Sequence, residues 1–488
     1  MNTDLLRVIE ELPTPDVLVV GDLILDRYVW GAVERLSAEA PIQVLLQNRC
    51  TQNPGGMGAV ACNLVRLGAR VRCAGVVGAD AEGEQLLGGL EEAGVDVSGI
   101  VTAERRPTSL KTRFVASSQH SRQQILRVDR ETDEALDKGL SAAVVEAVRT
   151  RLPEADILVL SDYGKGVVHA GVCEEIIARA RSAGVPVLVD PKGLDFMKYR
   201  GATAVTPNRS EAAAATGRAI RDYEDAESAA RELIESLDLE SIYITLDREG
   251  IYVLERQGEG AAVETEPREV YDVTGAGDNV IAVLAYALAG GRTPRTAATL
   301  ANLAGGIAVE RVGVVTIGWD QIAGRIAARA GGTAKLLPAE ALVRLLESAR
   351  LADRRVVFTN GCFDVLHAGH VDFLARARAL GDLLVVGIND DASITRLKGE
   401  GRPVNPIGAR AAVLGGLLTV DYLVGFAEDT PGPLIELLRP DVLVKGEDWK
   451  DKGVVGREFV ESYGGEVVLL PLIPGLSTTS ILRRLEEE

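Results

Sequence analysis

Two histidines three residues apart stand between an apolar run and an amphipathic stretch in the last third of the chain. The run Val356-Val357-Phe358 predicts a buried strand, and residues 371–380 have the spacing of a helix. The segment between them, Gly361-Cys362-Phe363-Asp364-Val365-Leu366-His367-Ala368-Gly369-His370, therefore predicts a strand-to-helix turn. Free backbone N–H groups and the helix dipole favour phosphate at such a turn, and two imidazole groups can hydrogen-bond to it. The pattern indicates nucleotidyl transfer, in which pyrophosphate leaves.

Two other interpretations of the histidine pair remain open from the residues alone. A zinc site on His367, His370 and Cys362 would need further ligands, and the sequence has no second cluster of Cys and His residues. A structural helix cap would not require two histidines with a glycine between them. The segment resembles the HxGH signature of the nucleotidyltransferase superfamily in its Gly-Cys-Phe-Asp-x-Leu-His-x-Gly-His form. This resemblance implies a Rossmann-like nucleotidyltransferase domain.

Composition limits the class of protein. A chain of 488 residues is too long for one ordinary core, and short Val/Ile/Leu runs that alternate with helical stretches favour α/β layers with mostly parallel strands. The net charge of −18 argues against a nucleic-acid-binding surface. It does not argue against phosphorylated small molecules, because local N–H groups and individual Lys and Arg side chains bind those.

The cysteines and the N-terminal segment bear on the compartment. Five cysteines, an odd number without a CxxC pair, predict reduced thiols. The acidic amphipathic N-terminal segment has no basic region followed by an apolar core, and no apolar stretch is long enough to span a bilayer. These features predict a cytoplasmic enzyme that binds neither nucleic acid nor a membrane.

A Gly-rich break near Ala330-Gly331-Gly332-Thr333 divides the pattern of strands and helices. We expect residues 1–330 to form one large α/β domain and residues 353–488 a smaller one. Residues 331–352 are then a linker and a connecting helix, which begins after Pro338.

A glycine-rich segment in the first domain precedes an apolar helical stretch. In Asp272-Val273-Thr274-Gly275-Ala276-Gly277-Asp278 the glycines let the backbone approach a phosphate, and the following helix directs its N–H groups at the anion. A carboxylate beside an anion pocket repels phosphate, so Asp278 needs another reason to be there. As a general base it can take the proton from a sugar hydroxyl that attacks the γ-phosphate of ATP. The alternative is an ordinary glycine-rich turn before a helix.

Three motifs in this domain resemble those of the ribokinase (PfkB-type) sugar kinases. They are Asn53-Pro54-Gly55-Gly56-Met57-Gly58-Ala59-Val60-Ala61-Cys62-Asn63-Leu64, the NxxE segment Asn208-Arg209-Ser210-Glu211, and the segment that ends at Asp278. A GxGxxA string at Gly56 to Ala61 alone is weak evidence for a dinucleotide fold, and no Walker A sequence is present. The resemblance implies a ribokinase-like αβα fold with a small β lid, ATP as substrate and Mg²⁺. It implies nucleotide contacts from Asn208, Arg209, Ser210, Glu211, Thr274, Gly275, Ala276 and Gly277, with Glu211 near the metal.

The same resemblance implies where the sugar binds. Alternating β segments at Trp30 to Gln47 and Ser109 to Val128 would form the lid, which often pairs between subunits and so predicts a homodimer. Lys165 and Lys192 follow strands, and Lys111, Arg113 and Arg127 would hold a second, non-reacting phosphate. The predicted sugar-binding residues are Asp22, Asp26, Gly55, Gly56, Asn63, Lys111, Arg113, Arg127, Lys165 and Lys192. From the residues alone, Asp22 is equally a turn residue, and either lysine a solvated loop charge.

The second domain carries further candidates for binding the triphosphate. Lys398 and Arg402 supply positive charge from a loop shaped by Gly399, Gly401 and Pro403. Ser477-Thr478-Thr479 resembles a hydroxyl-rich element of the superfamily, although it is also an ordinary N-cap. The predicted nucleotide-binding residues are Thr359, Asn360, Gly361, Phe363, Lys398, Arg402, Lys445, Ser477, Thr478 and Thr479. With His367 and His370 they would position an acceptor phosphate for in-line attack on the α-phosphorus.

The whole chain resembles, in domain order, the family of bifunctional D-glycero-β-D-manno-heptose 7-phosphate kinases/heptose 1-phosphate adenylyltransferases. That resemblance implies phosphorylation of the heptose at O1 and transfer of AMP to heptose 1-phosphate, giving ADP-heptose for a surface glycan. Two alternatives stay open: a kinase for another sugar joined to a cytidylyltransferase, and a binding protein with inactive sites. Asn279-Val280 departs from the small residue and Phe that commonly follow Asp278 in the kinase motif.

Overall fold

The computed structural model describes residues 2–117, 122–265, 272–311, 315–330, 335–450, 452–471 and 473. These residues form two compact units. One unit is Pro13–Ile317, and the other is Gly318–Glu488 together with Met1–Leu12.

The first unit is built on a twelve-stranded sheet that extends into a lid. Its strands are β1 (Asp16–Leu36), β2 (Gln43–Gly56), β3 (Arg70–Gly78), β4 (Asp96–Ala103), β5 (Ser109–Ser117), β6 (Arg122–Arg130), β7 (Ile157–Ser161), β8 (Val187–Asp190), β9 (Ala204–Val205), β10 (Ser241–Thr245), β11 (Gly250–Glu255) and β12 (Ala261–Glu264). The main sheet has the order β12-β11-β10-β9-β8-β7-β1-β3-β4, and only β11 and β12 run antiparallel to their neighbours.

Helices flank this sheet. They are α2 (Met57–Arg66), α3 (Ala81–Glu92), α4 (Lys138–Arg151), α5 (Ala170–Ala183), α6 (Arg209–Thr216), α7 (Tyr223–Leu237), α8 (Ala276–Ala289) and α9 (Pro294–Ala308). All five residues of β7 are buried, as expected for a parallel strand covered on both faces. Side chains of α4, α5 and α7, such as Val144, Ile176 and Leu233, pack with Leu158 and Ile242 of the strands in one core.

The strand β1 belongs to both the main sheet and the lid. Residues 16–22 of β1 pair with β3, whereas residues 23–36 pair with β2 and residues 24–31 with β5. The strand β6 extends the lid by pairing with β5. At Gly21, where β1 leaves the main sheet, a Cβ atom would lie 2.0 Å from the carbonyl oxygen of Ser161. The lid is therefore continuous with the sheet that it covers, and the prediction of lid strands in these two segments agrees with the structure.

The second unit contains a six-stranded parallel sheet. Its strands, β13 (Leu336–Leu337), β14 (Val356–Gly361), β15 (Leu383–Asn389), β16 (Tyr422–Phe426), β17 (Val442–Gly446) and β18 (Glu466–Leu470), have the order β13-β16-β15-β14-β17-β18. The strand order reverses between β14 and β17, and open α/β sheets bind ligands at the carboxyl ends of the strands at such a point. The helices of this unit are α1 (Asn2–Glu10), α10 (Trp319–Ala330), α11 (Ala339–Arg350), α12 (Ala368–Arg378), α13 (Asp391–Lys398), α14 (Ile407–Gly415), α15 (Gly432–Leu438) and α16 (Arg457–Ser462).

The boundary between the units lies earlier than the sequence pattern indicated. The helix α10 falls within residues 1–330, yet it packs with α1 and α11 in the second unit. The backbone carbonyl of Asp320 accepts a 2.7 Å hydrogen bond from the Tyr422 hydroxyl, and the Asp320 carboxylate pairs with Arg354. These contacts join segments far apart in sequence, and the Gly-rich break at residue 330 does not reveal them. No helix within the described ranges is long and apolar enough to cross a bilayer.

Candidate active sites

A cavity of about 290 Å³ lies at the carboxyl edge of the first unit's sheet. Its wall combines the lid strands β1 and β5, the loops after β7 and β8, and the beginnings of α6 and α8. The sequence-predicted residues that line it are Asp26, Gly56, Lys111, Arg113, Lys192, Asn208, Glu211, Thr274, Gly275, Gly277 and Asp278. Residues predicted to bind the sugar and residues predicted to bind the nucleotide therefore line the same cavity.

Asp278 lies in the first turn of α8, at the wall of this cavity. The turn is made possible by Gly275, which caps the helix with φ 76°, a conformation that favours glycine. The Tyr163 hydroxyl donates a hydrogen bond to Oδ1 of Asp278. Burial raises the pKa of the Asp278 carboxyl to about 6. The hydrogen bond from Tyr163 lowers this pKa, and the nearby charge of Asp26 raises it further. The carboxylate is therefore ionised at neutral pH and basic enough to accept a hydroxyl proton.

The cations of the cavity have different partners. Arg113 pairs with Asp26, and both side chains are largely buried. Lys192 pairs with Glu211 at 2.8 Å, and that contact raises the pKa of the lysine. Lys111 makes no ion pair with any described residue. Lys111 is therefore available to bind an anion, whereas Arg113 is held at the cavity wall by its ion pair with Asp26.

Asp22, predicted to bind the sugar, does not line this cavity. The residue is fully buried, and its carboxylate accepts hydrogen bonds from the backbone N–H groups of Tyr163 (2.8 Å), Lys165 (3.0 Å) and Val167 (3.0 Å). Burial raises the pKa of Asp22 even though these bonds favour the charged form. The residue instead holds the loop after β7 in place.

Other predicted ligands also lie outside the cavity. Lys165 pairs with Glu131 at 2.6 Å, and Arg127 lies on an exposed strand where it pairs with Asp129 at 3.0 Å. Arg209 donates to the carbonyl oxygen of Ile220 at 2.9 Å, away from the cavity. The remaining predicted residues absent from the described wall are Gly55, Asn63, Ser210 and Ala276. These residues belong to the predicted motifs but do not line the described cavity.

Gly55 has a steric reason for being glycine. A Cβ atom at this position would lie 2.3 Å from Oδ2 of Asp26. The residue therefore makes room for the carboxylate that lines the cavity.

Sequence reasoning missed three titratable residues of the wall: Asp162, Tyr163 and Asp190. Burial, together with Asp278 and Glu211, raises the pKa of Asp190 well above its usual range. Asp162 is buried and accepts hydrogen bonds from Lys198 Nζ and the Tyr199 hydroxyl, both at 2.5 Å. The available signal was their place at the binding edge of the sheet, since Asp162 and Tyr163 follow β7 and Asp190 ends β8.

A second cavity, also of about 290 Å³, lies in the other unit at the carboxyl ends of β14 and β17. It is therefore at the reversal of strand order described above. The sequence-predicted residues that line it are Thr359, Asn360, Gly361, Phe363, His367, His370, Lys398 and Lys445. Ser477, Thr478 and Thr479 lie outside the described residues.

The two histidines lie side by side at the beginning of α12. His367 occupies the N-cap position, and its ring stacks on that of His370 with centroids 3.9 Å apart. The Nδ1 atoms of both rings and Oγ1 of Thr359 are buried and have no hydrogen-bond partner in the described part of the chain. Buried polar atoms without partners are rare, so these atoms are suited to a polar ligand.

The electrostatics of the pair fit an anion. Burial, the neighbouring His367 and Lys398 lower the pKa of His370 to about 4, and burial also lowers that of His367. Both imidazoles are therefore neutral at neutral pH in the free protein. A polyphosphate would favour their charged forms and strengthen hydrogen bonds from their N–H groups.

Two lysines and an aromatic ring complete this cavity. Lys445 Nζ donates to Oδ1 of Asn360 at 2.5 Å and lies 5.1 Å from the centre of the Trp449 ring. Burial lowers the pKa of Lys445 to about 8, so the side chain is mostly charged at neutral pH. Lys398 ends α13 and also reaches the wall. Trp449 was not predicted as a site residue; it lies in the helical turn Glu447–Trp449 that follows β17.

Arg402 does not line this cavity, contrary to the sequence prediction. Its guanidinium donates to the buried carboxylate of Asp364 at 2.5 Å. The same carboxylate accepts hydrogen bonds from the backbone N–H groups of Val404 (2.7 Å) and Asn405 (3.1 Å). Asp364 and Arg402 thus attach the loop after α13 to the signature segment, and Lys398 stands at the beginning of that loop.

These two folds and sites define a class of protein: a carbohydrate kinase joined to a nucleotidyltransferase. Residues 14–321 match the model of the pfkB family carbohydrate kinases, and residues 358–484 match the cytidylyltransferase-like family. The chain belongs to the family of bifunctional proteins named HldE. It is 48% identical to Bifunctional protein HldE of Geobacter sulfurreducens, over 96% of this chain and 95% of that one. It is 45% identical to that of Syntrophotalea carbinolica, over 99% of this chain and 98% of the other.

Solved structures share the fold of the first unit. Phosphofructokinase-2 from Escherichia coli in complex with fructose-6-phosphate superposes with a TM-score of 0.54 at 19% identity, over 65% of this chain and all of that one. The tetrameric inhibited form of the same phosphofructokinase-2 gives a TM-score of 0.55 at 19% identity, over 65% of this chain and all of that one. The ribokinase-like fold expected from the sequence is confirmed.

Proposed function

We propose that this chain catalyses two steps of ADP-heptose biosynthesis. The first unit phosphorylates D-glycero-β-D-manno-heptose 7-phosphate at O1 with ATP and gives the 1,7-bisphosphate. After a separate phosphatase removes the 7-phosphate, the second unit transfers AMP from ATP to heptose 1-phosphate and releases pyrophosphate. The observation that carries the proposal is that each unit has a cavity at a helix beginning, one with Asp278 and the other with His367 and His370.

In the kinase unit, Asp278 accepts the proton of the O1 hydroxyl as the oxygen attacks the γ-phosphorus of ATP. The bond from the γ-phosphorus to the bridging oxygen breaks, and ADP leaves with the electron pair. The beginning of α8, at Gly275 and Gly277, presents backbone N–H groups to the transferred phosphoryl group. Lys111 and Arg113 lie on the lid strand β5 and are suited to the non-reacting 7-phosphate.

Mg²⁺ would enter the kinase site with ATP. Glu211 and Asn208 line the cavity, but the Glu211 carboxylate accepts the backbone N–H of Asn208 at 3.0 Å and also pairs with Lys192. No group of three or more His, Cys, Asp or Glu side chains in the described ranges could hold a metal by itself. The residues therefore fit an ion held mainly by phosphates and water, with Glu211 nearby. When bound, Mg²⁺ supplies neutralisation of phosphate charge.

In the transferase unit, a phosphate oxygen of heptose 1-phosphate attacks the α-phosphorus of ATP, and pyrophosphate leaves. A phosphomonoester is already ionised near neutral pH, so the reaction needs no separate base. His367, His370 and Thr359 then act by orienting the triphosphate and by hydrogen-bonding to the charge that develops on it. Lys398 and Lys445 add positive charge at the same wall.

The nucleotide preference of the second unit distinguishes an adenylyltransferase from a cytidylyltransferase. We expect the protein to release pyrophosphate fastest from ATP when ATP, CTP, GTP and UTP are each supplied with heptose 1-phosphate. A coupled pyrophosphate assay measures the rates, with glucose 1-phosphate as the control acceptor. A preference for CTP would contradict the adenylyltransferase assignment. A preference for glucose 1-phosphate would contradict the assignment of heptose 1-phosphate as the acceptor.

We further propose a homodimer that forms through the lid strands. The lid carries exposed apolar side chains, including Leu36, Leu46, Leu126 and Val128. We expect light scattering to give twice the 51.8 kDa mass of the chain, and the double variant Leu46→Glu/Leu126→Glu to give the monomer mass. The control is Leu418→Glu, at a side chain that is 97% exposed in the other unit. A monomeric wild type, or a double variant that stays dimeric, would contradict the lid interface.

A further inference from the structure

Tyr163 contacts the carboxylate proposed as the kinase base. Its hydroxyl group donates to Oδ1 of Asp278, and it is the one hydrogen-bond donor that the described residues present to that carboxylate. Both residues line the same cavity, although they belong to different segments: Tyr163 follows β7, and Asp278 begins α8. No role was assigned to Tyr163 from the sequence.

The loop that carries Tyr163 is held from several sides. The Asp22 carboxylate accepts the backbone N–H of Tyr163 at 2.8 Å, and the Asp162 carboxylate accepts that of Gly164 at 2.7 Å. Arg106 donates to the carbonyl oxygen of Lys165. Since the backbone on both sides of Tyr163 is fixed by buried or largely buried groups, the position of its hydroxyl is set before any ligand binds.

We propose that Tyr163 is a positioning residue of the kinase reaction: its hydroxyl holds Oδ1 of Asp278 so that Oδ2 faces the acceptor hydroxyl. The inference rests on the proposed role of Asp278 as the base. In the reaction the sugar proton moves to Oδ2, and Tyr163 keeps its own proton throughout. Burial and the adjacent Asp278 charge raise the pKa of Tyr163 well above its usual range, so the phenol stays a donor.

The hydrogen bond also has a consequence for pH dependence. It stabilises the ionised form of Asp278, and its removal therefore raises the pKa of that carboxyl. The other titratable or charged groups that line the cavity are unchanged by a substitution at Tyr163; they are Asp26, Lys111, Arg113, Asp162, Asp190, Lys192 and Glu211. The phosphate of the acceptor titrates in the same pH range, but it does so equally for every variant.

The test is the pH profile of kcat/KM for heptose 7-phosphate at saturating ATP, for wild type and Tyr163→Phe. The phenylalanine keeps the ring and the backbone contacts. We expect the acidic limb of the variant to move upward by about one pH unit, with an activity at pH 5 about tenfold below that of wild type and a smaller loss above pH 8. Tyr243→Phe, at a buried tyrosine of β10, is the control and should leave the limb unmoved.

A second substitution is expected to move the acidic limb of the pH profile in the opposite direction. Replacement of Tyr163 by 3-fluorotyrosine gives a more acidic phenol and a stronger donor, so the limb should move downward. An unmoved limb, or a loss that is equal at every pH, would overturn the role of Tyr163. A wild-type protein without sugar phosphorylation would instead defeat the proposed function, and the adenylyl-transfer rate reports separately whether each variant is folded.

Discussion

Asp278→Asn is expected to lower the kcat of heptose 7-phosphate phosphorylation by about 10³-fold. The amide has nearly the shape of the carboxylate and can still accept a hydrogen bond from Tyr163, but it cannot take the proton from O1. The KM for ATP should change little, because the backbone N–H groups at Gly275 and Gly277 remain. The measurement is ADP release in a coupled assay at saturating substrates.

The control for this variant is Asp133→Asn, which changes an exposed carboxylate of the same unit. It should keep the wild-type rate. Adenylyl transfer by the Asp278→Asn protein should also equal that of wild type, since Asp278 and the histidine pair belong to different units. More than a tenth of the wild-type kinase rate in Asp278→Asn would contradict a role as the base.

His370→Ala is expected to lower the rate of adenylyl transfer by about 10² to 10³-fold. The imidazole lines the second cavity, and its buried Nδ1 atom has no partner among the described residues, so the substitution removes a group that is available to a ligand. Because the pKa of His370 is lowered to about 4, the ring is neutral at pH 7 in the free protein. The lower rate at pH 7 then results from the loss of a hydrogen-bond donor. Pyrophosphate release measures this rate.

Phosphorylation of heptose 7-phosphate by the His370→Ala protein should be unchanged. His169→Ala is the matched control, because it removes an imidazole from the other unit. It should leave adenylyl transfer at the wild-type rate. If His370→Ala lost both activities while staying folded, the two units would not function independently.

The elements that carry the chemistry were predictable because their signals are local. The strand β14, the turn after it and α12 follow from an apolar run, a glycine and a helical spacing within about two dozen residues of chain. The same is true of the turn at Gly275 and of α8. The lid segments were also predictable, since alternation along a strand needs no knowledge of its partner.

The contacts that hold the sites together were not predictable, because they join distant segments. Asp22 binds the N–H of Tyr163 across 141 residues, and Tyr163 reaches Asp278 across 115. The first contact depends on the pairing of β1 with β7, which are not consecutive along the chain, and the second joins the loop after β7 to α8. Asp22 was consequently interpreted as a ligand, when its neighbours in space make it a support for the loop.

Arg402 shows the same limitation in the other unit. A basic residue near a glycine-rich loop is typical of phosphate binding, but a buried carboxylate 38 residues earlier pairs with it. The local sequence pattern does not distinguish a basic side chain that is available to a ligand from one that is already paired with a carboxylate. Lys398, four residues before Arg402, does reach the cavity.

A mixing experiment tests whether two independent sites on this chain each use a nucleoside triphosphate. Asp278→Asn and His370→Ala proteins are each incubated with heptose 7-phosphate, ATP, Mg²⁺ and a phosphatase specific for the 7-phosphate, first alone and then as an equimolar mixture. Mass spectrometry measures ADP-heptose. We expect ADP-heptose in the mixture and almost none from either variant alone. Comparable ADP-heptose from a single variant, or none from the mixture when wild type makes it, would contradict the presence of two independent sites.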